Sequence, residues 1–423
     1  MEVFKFGGVS VKDAEAIENA GRIVARYAPA QTVLIVSAMG KTTNALEEVL
    51  RRWYAGNNPS EELSRVRQYH GDIMRILFPE WHPVYATVEH YFYSAAQMLS
   101  TPPPGPFDFD YDRLVSIGEL LSTTIIGAYL NAQGIETHWR DARLLVITDD
   151  HWREGNVDFV ASEQAIRESA GRVFNTKSGR KVLLTQGFLG GAPDGRTTTL
   201  GREGSDYSAA IFSYVLGASK MTVWKDVPGV LNADPKIFAD PVLLPHISYG
   251  EAIELTYYGA TVIHPKTIKP LQNKNIPLHV RSFVEPTSAG TLITRTSGCD
   301  SSVPSFIVKD DQLLISISPK NFSFIAEQNL SDIFAAFAQV GVRINMMQNS
   351  AISFTACVSC DDRQIKALFD LLSHSFTIKY NAGLQLLTIR HWNYDTIEKM
   401  ISGKTVLLEQ RSRTTVQIVI TPV

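Results

Sequence analysis

Along the chain, apolar positions fall into short runs separated by glycine turns and by longer stretches of helical period. Residues 3–6 alternate as a strand and close on Gly7-Gly8, and a helix-period stretch follows over 11–27 with Ser10 or Asp13 near its start. The apolar run 32–36 comes next and ends in Ser37-Ala38-Met39-Gly40. Strand, glycine turn, helix, strand is the rhythm of a parallel sheet covered by helices. Residues 44–99 are largely helical in pattern, the proline-rich 102–106 reads as a surface loop, and 114–130 is helical again. Strands are predicted over 181–186, 220–224 and 276–281, and helices over 206–216 and 248–258. Asp226-Val227-Pro228-Gly229 is a turn by composition.

The pattern changes after a Ser, Gly, Asp and Pro linker at 297–304. Strand 313–318, helix 331–339, strands 342–347 and 352–359, helix 363–373 and strand 384–390 then run in βαββαβ order before a last helix-and-strand piece. That order in so short a span predicts a small ferredoxin-like α+β module. The expected organisation is an α/β domain over 1–296, then a smaller region over 305–423 with one full and one partial module.

Bulk properties narrow the class. A chain of 423 residues exceeds one ordinary core, and 44% apolar with 20% charged residues excludes disorder. A net charge of −3 without any basic stretch argues against nucleic acid as the main partner. The N-terminus lacks the apolar core of a signal peptide, and runs such as 33–36 and 182–184 are too short to span a membrane. Three cysteines suit a reducing cytoplasm. Cys357 and Cys360 are spaced as CxxC, yet they lie on a predicted strand without a second pair, which reads as structural thiols.

Gly40-Lys41-Thr42 spells the end of a P-loop, but the glycine required five positions earlier is Ile35, so that reading fails. Lys5-Phe6-Gly7-Gly8 is more informative, because a strand-end lysine, two bare backbones and a following helix start make a phosphate cradle. A second cluster runs from Gln186-Gly187-Phe188 to Thr199-Leu200-Gly201-Arg202-Glu203-Gly204-Ser205-Asp206. There Arg202 suits a carboxylate and Asp206 a lysine or a metal. Asp226 opens a third cluster at a strand end, where open α/β sheets place ligands. The bland readings go elsewhere: His264 as structural, Phe334 and Phe337 as helix core, and Asp108, Asp110 and Asp112 as a solvated loop.

Lys-Phe-Gly-Gly-x-Ser-Val at the start, Ser116-x-Gly-Glu119, the Thr-Thr-Thr-Leu-Gly-Arg-x-Gly-Ser-Asp-Tyr run, Asp-Val-Pro-Gly-Val and Gly259-Ala-x-Val-Ile-His-Pro265 occur in register. Together they resemble the aspartokinases of the amino-acid kinase superfamily, over essentially the whole chain. The resemblance implies an αβα sandwich with a mainly parallel sheet, followed by ACT-type regulatory modules. It further implies transfer of the ATP γ-phosphoryl group to the β-carboxylate of aspartate, with Mg2+, as the first step toward lysine, threonine and methionine.

Carried across by motif, Lys5 contacts the transferring group, Gly7 and Gly8 lie beside it, and Asp206 holds Lys5. Arg202 takes the substrate α-carboxylate and Glu119 its ammonium, with Ser37, Thr43, Phe188 and Ser205 lining the pocket. Lys225, Asp226, Leu231, Lys236 and Thr261 fall at the nucleotide positions. Six residues along these motifs depart from the family pattern: Val9, Glu203, Lys225, Leu231, Lys236 and Thr261, the last where a lysine is common. Asn345, Gln348, Asn349 and Ser350 match an effector position for an amino acid such as lysine or threonine, at modules through which subunits pair as dimers or larger assemblies. Two other readings stay open: a superfamily kinase with a different acceptor, or a non-catalytic amino-acid sensor.

Overall fold

The computed structural model describes residues 1–175, 179–260, 263–321 and 323–422. The chain forms two compact units, one of Met1–Val230, Leu243–Ile253 and Val262–Ser297, the other of Leu231–Val242, Glu254–Thr261 and Gly298–Val423.

The elements run β1 (Glu2–Phe6), α1 (Ala14–Tyr27), β2 (Gln31–Val36), α2 (Thr42–Tyr54), α3 (Ser60–Leu77), α4 (Val84–Leu99), α5 (Phe107–Val115), α6 (Ile117–Ala132) and β3 (Thr137–Arg140). They continue as α7 (Phe159–Phe174), β4 (Lys181–Gln186), β5 (Leu189–Gly191), β6 (Thr197–Thr199), α8 (Gly204–Leu216) and β7 (Lys220–Lys225). β8 (His246–Ser248), α9 (Tyr249–Tyr258), α10 (Pro265–Asn273), β9 (Leu278–Ser282) and β10 (Thr291–Thr294) complete this part.

Among the described residues an eight-stranded sheet has the order β3-β4-β2-β1-β7-β9-β10-β8, parallel at every pairing except β9 with β10. Its central strands read as unbroken apolar runs because both faces are covered. Alternation then sorts the side chains. Phe4, Phe6, Leu34, Val36, Leu184 and Trp224 share one core with α1 and α6, whereas α7 and α8 pack on the opposite face. Phe6 stacks on Trp224 at 6.2 Å, and Tyr27 of α1 closes on the same indole at 5.6 Å. Lys5 therefore leaves β1 toward α8, away from this aromatic cluster.

Several sequence expectations change here. The first helix begins at Ala14 after a single-turn 3-10 stretch, Gly8–Val11, and its cap is Asp13, whose carboxylate accepts from Ala16 N at 2.8 Å. Ser10 is no cap; its hydroxyl donates to the Trp224 carbonyl. The short strands β3, β5, β6, β8 and β10 carry too few residues to show alternation. Phe337 is core, but Phe334 is 40% exposed. The helical stretch Phe107–Ala132 is long and apolar enough to cross a membrane, and with 83% of its apolar window buried it is a core helix.

The aspartates expected on a solvated loop lie instead on α5, with Asp110 and Asp112 fully buried. Asp112 accepts from Thr199 Oγ1 at 2.7 Å, Thr199 N at 3.1 Å and Arg153 N at 3.0 Å. One carboxylate thus ties α5 to β6 and to the 149–157 loop, immediately before the turn that carries Gly201–Gly204. Burial pushes Asp112 up to about 6, above the ordinary carboxylate range, despite those donors.

In the second unit the elements are β11 (Ser305–Pro319), α11 (Glu327–Val340), β12 (Arg343–Asn349), β13 (Phe354–Ser359), α12 (Asp362–Leu372), β14 (Phe376–Arg390), α13 (Tyr394–Ile401), β15 (Val406–Arg411) and β16 (Thr415–Ile420). They form a six-stranded antiparallel sheet, β12-β13-β11-β14-β16-β15. The β11–β14 register shifts between Lys309 and Leu314. The later half of β11 completes a βαββαβ set with α11 and α12, around Ile315, Phe337, Phe354 and Val358. The earlier half of β11 pairs with the end of β14 and so adds a strand to β16 and β15, over α13. Cys357 is buried and Cys360 half-buried, both as free thiols, and burial pushes Cys357 up to about 12.

Replacing Asp112 by alanine leaves the buried Thr199 N–H and hydroxyl and the part-buried Arg153 N–H without their acceptor. A loss of about 2 kcal/mol in unfolding free energy is expected from urea titration followed by tryptophan fluorescence.

Candidate active site

The site grows from the C-terminal ends of β1, β2, β4 and β7. In the parallel β1–β7 pair, Lys5 lies opposite Val223. Side chains two apart on a strand share a face, so Lys225 emerges beside Lys5. Both reach Asp206, in the first turn of α8, from which Lys5 Nζ is 2.6 Å and Lys225 Nζ 3.8 Å, each on a different carboxylate oxygen. Burial alone would raise the Asp206 carboxyl; the two ammonium groups beside it hold it below its ordinary value.

Glycine turns complete the walls. A Cβ on Gly8 would stand 2.7 Å from the Ala38 carbonyl, so the turns after β1 and β2 meet only because Gly8 lacks one. Gly40 N closes that contact by donating to Gly8 O at 2.9 Å. The resulting cavity of about 360 Å³ is lined by Lys5, Gly8, Ser37, Thr43, Glu119, Phe188, Ser205, Asp206 and Lys225, all singled out in the sequence. Ala38 and Gly40 line it as well, as do Gly201, Glu203 and Gly204 of the glycine-spaced cluster, none of which was assigned a binding role from the sequence. The N-terminus of α8 opens here and adds a positive dipole end.

Strain gathers at the same place. Phe188 (φ 70°) and Glu203 (φ 53°) are left-handed without being glycine. Phe188 is held by Ser208, whose hydroxyl accepts its N–H at 2.9 Å. The Glu203 carboxylate accepts the His264 N–H at 3.0 Å. His264 itself caps α10, its ring accepting from Lys266 N at 3.2 Å, in keeping with a structural role.

Glu119 is a strongly perturbed acid of the cavity. It is 3% exposed; one oxygen accepts the Ala38 N–H at 3.3 Å and the other has no partner among the described residues. Burial pushes its carboxyl up to about 8. A buried carboxyl with an open oxygen facing a cavity is built to receive a cationic group.

Other expected residues lie elsewhere. Gly7 stands beside the cavity, 3.5 Å from Lys5 Nζ when given a Cβ. Arg202 is exposed on the turn before α8, and Asp226 is exposed just past β7. Leu231 and Lys236 belong to the second unit, half-buried and exposed respectively. Thr261 lies outside the described residues. In the second unit Asn345 is already engaged, accepting from Lys309 Nζ at 2.9 Å and donating to Gln312 and Ser359 at 2.8 Å. Gln348, Asn349 and Ser350 are exposed at the end of β12 and its turn. Among the described residues no three His, Cys, Asp or Glu side chains cluster as a metal site. The cavity's Asp206 already faces two ammonium groups, so these residues do not fit a resident metal ion.

An ammonium-walled cavity between glycine turns, at the C-terminal edge of a mainly parallel sheet, defines an α/β protein built to hold anionic ligands. The family model of the amino acid kinase family matches residues 1–282, and the chain belongs to that family. It is 31% identical over 365 residues to the chloroplastic aspartokinase 1 of Arabidopsis thaliana, covering 84% of this chain and 62% of that protein. It is 29% identical over 395 residues to the lysine-sensitive aspartokinase 3 of Escherichia coli, covering 92% and 86%. The fold matches E. coli aspartokinase III in complex with aspartate and ADP, at a TM-score of 0.80 and 24% identity over 100% of this chain and 96% of that one. The chain spans only 42% to 65% of the length of several plant relatives that it matches.

An ammonium-bearing ligand pairs with ionised Glu119 alone, so its binding expels a proton below about pH 8. Affinity for L-aspartate, the acceptor that the sequence implies, is expected to climb by up to about tenfold per pH unit and level off above about 8. Calorimetry in buffers of different ionisation enthalpy reads the released proton, and Glu119→Gln is expected to abolish both effects.

Proposed function

We propose that the chain is an aspartate kinase, passing the γ-phosphoryl group of ATP to the β-carboxylate of L-aspartate. The observation that carries this reading is the joining of Lys5, Asp206 and Glu119 in one cavity. One end offers ammonium groups to a phosphate and the other a partnerless carboxyl oxygen to an amino group. The E. coli relative's complex with aspartate and ADP supports the same pairing of ligands.

The chemistry asks little of the protein in proton transfer. A carboxylate with a reference pKa of about 4 is ionised at neutral pH and attacks without a base. No histidine is among the described residues lining the cavity. What remains is to hold two anions together and to stabilise charge on the moving phosphoryl group. In this reading Lys5, the Gly8 turn and the positive N-terminal end of α8 hold the phosphate, and Asp206 fixes Lys5. Glu119 takes the α-ammonium and Arg202 the α-carboxylate, while Ser37, Thr43, Phe188 and Ser205 shape the pocket. A Mg2+ ion brought in with the nucleotide would supply further positive charge, with no protein ligand among the lining residues.

The second unit is proposed as an amino-acid-sensing regulatory region, on the likeness to a lysine-sensitive relative. Its Asn345 already carries the Lys309 ammonium, which favours an effector other than free lysine at that position.

The reading is tested with ATP and a panel of acceptors, trapping acyl phosphate as the hydroxamate. Aspartate is expected to yield product and glutamate to yield less than about 1% of it, since an added methylene and a misplaced carboxylate displace the attacking oxygen. Product from glutamate or N-acetylglutamate but not aspartate would overturn the acceptor assignment, and none from any acceptor would favour a sensor.

A further inference from the structure

We propose that Lys225 is a second catalytic cation, gripping the transferring phosphoryl group together with Lys5. The proposal deepens the kinase reading above and rests on it.

Lys225 is the last residue of β7, next to β1, and the register puts its side chain on the face from which Lys5 projects. The two lysines take the two oxygens of one buried carboxylate, Lys5 at 2.6 Å and Lys225 at 3.8 Å. Their side chains are 10% and 23% exposed, against 3% for Asp206, so both ammonium groups sit at the cavity surface while their shared anchor lies beneath. A buried ion pair gains little net stability, and a second cation on the same carboxylate gains less still. The arrangement makes sense as preorganisation: Asp206 holds two like charges near each other before any anion arrives. Of the other acids lining the cavity, Glu203 is turned onto the His264 N–H, and Glu119 lies against the Ala38 N–H.

In the transfer, an oxygen of the acceptor β-carboxylate forms a bond to the γ-phosphorus. The bond from that phosphorus to the β,γ-bridging oxygen breaks, and its electron pair leaves with ADP. Neither lysine gives up a proton. Lys5 and Lys225 stabilise the phosphoryl oxygens across this step, which is where fixed charge lowers a barrier most.

The test uses the full chain with Lys225→Met, which keeps length and removes charge, and Lys225→Arg, which restores charge. Lys225→Met is expected to lower kcat about a hundredfold while leaving the KM for aspartate within about twofold. It is also expected to weaken binding of a non-hydrolysable β,γ-imido ATP about tenfold, with ADP affinity held within about twofold. Lys225→Arg is expected to recover most of the turnover, with melting temperatures unchanged in both variants. A kcat within about threefold of the parent overturns the proposal, as does equal weakening of ADP and the imido analogue. Equal losses in both variants that follow a lowered melting temperature overturn it too, in favour of a structural role. If the parent makes no hydroxamate from aspartate, the acceptor reading fails separately. Lys225 then stands or falls on the contrast between imido-ATP and ADP binding.

Discussion

One buried carboxylate, Asp206, holds the site together. It sits in the first turn of α8, over the ends of β1 and β7, and faces an ammonium group from each strand. Taking these charges out of water is costly, and a buried pair seldom repays that cost as stability. The cluster is better understood as positioning. It aims Lys5 at a cavity whose other walls are glycine turns, the start of α8 and a neutral-leaning Glu119. The sheet supplies the geometry: alternation sends Phe4 and Phe6 into the aromatic core and leaves Lys5 on the face covered by α8.

Tight packing around this point explains its exact residue types. Gly8 is required because the Ala38 and Gly40 carbonyls approach where a side chain would lie. Phe188 and Glu203 accept left-handed backbones, each held by a hydrogen bond, at the two loops that flank Ser205. Asp112 lies further back, pinning β6 and the 149–157 loop before the turn into α8. Strain in the front and satisfied donors behind are two halves of one device.

Much of this was legible in the sequence, for a physical reason. Lys5-Phe6-Gly7-Gly8 and the glycine-spaced run to Asp206 combine residue types that only a strand-end ligand site needs together, so the cavity's main side chains could be named. The parallel sheet was legible because its buried strands are continuous apolar runs, as in 32–36. Asp110 and Asp112 misled because acidic residues after a proline-rich loop look solvated; only tertiary partners reveal them as buried acceptors. Phe334 misled because helical spacing alone does not show which edge of the apolar stripe meets the core. The added strand from the first half of β11 was hidden, since a register shift within one long strand leaves no mark on hydrophobic pattern.

In the proposed reaction the Lys5 ammonium meets the nucleotide's terminal phosphate. Its most direct test is single-turnover acyl phosphate formation by Lys5→Ala protein whose melting temperature matches the parent. A fall of at least about a thousandfold is predicted for loss of this charge. Turnover at the parental rate would contradict the account.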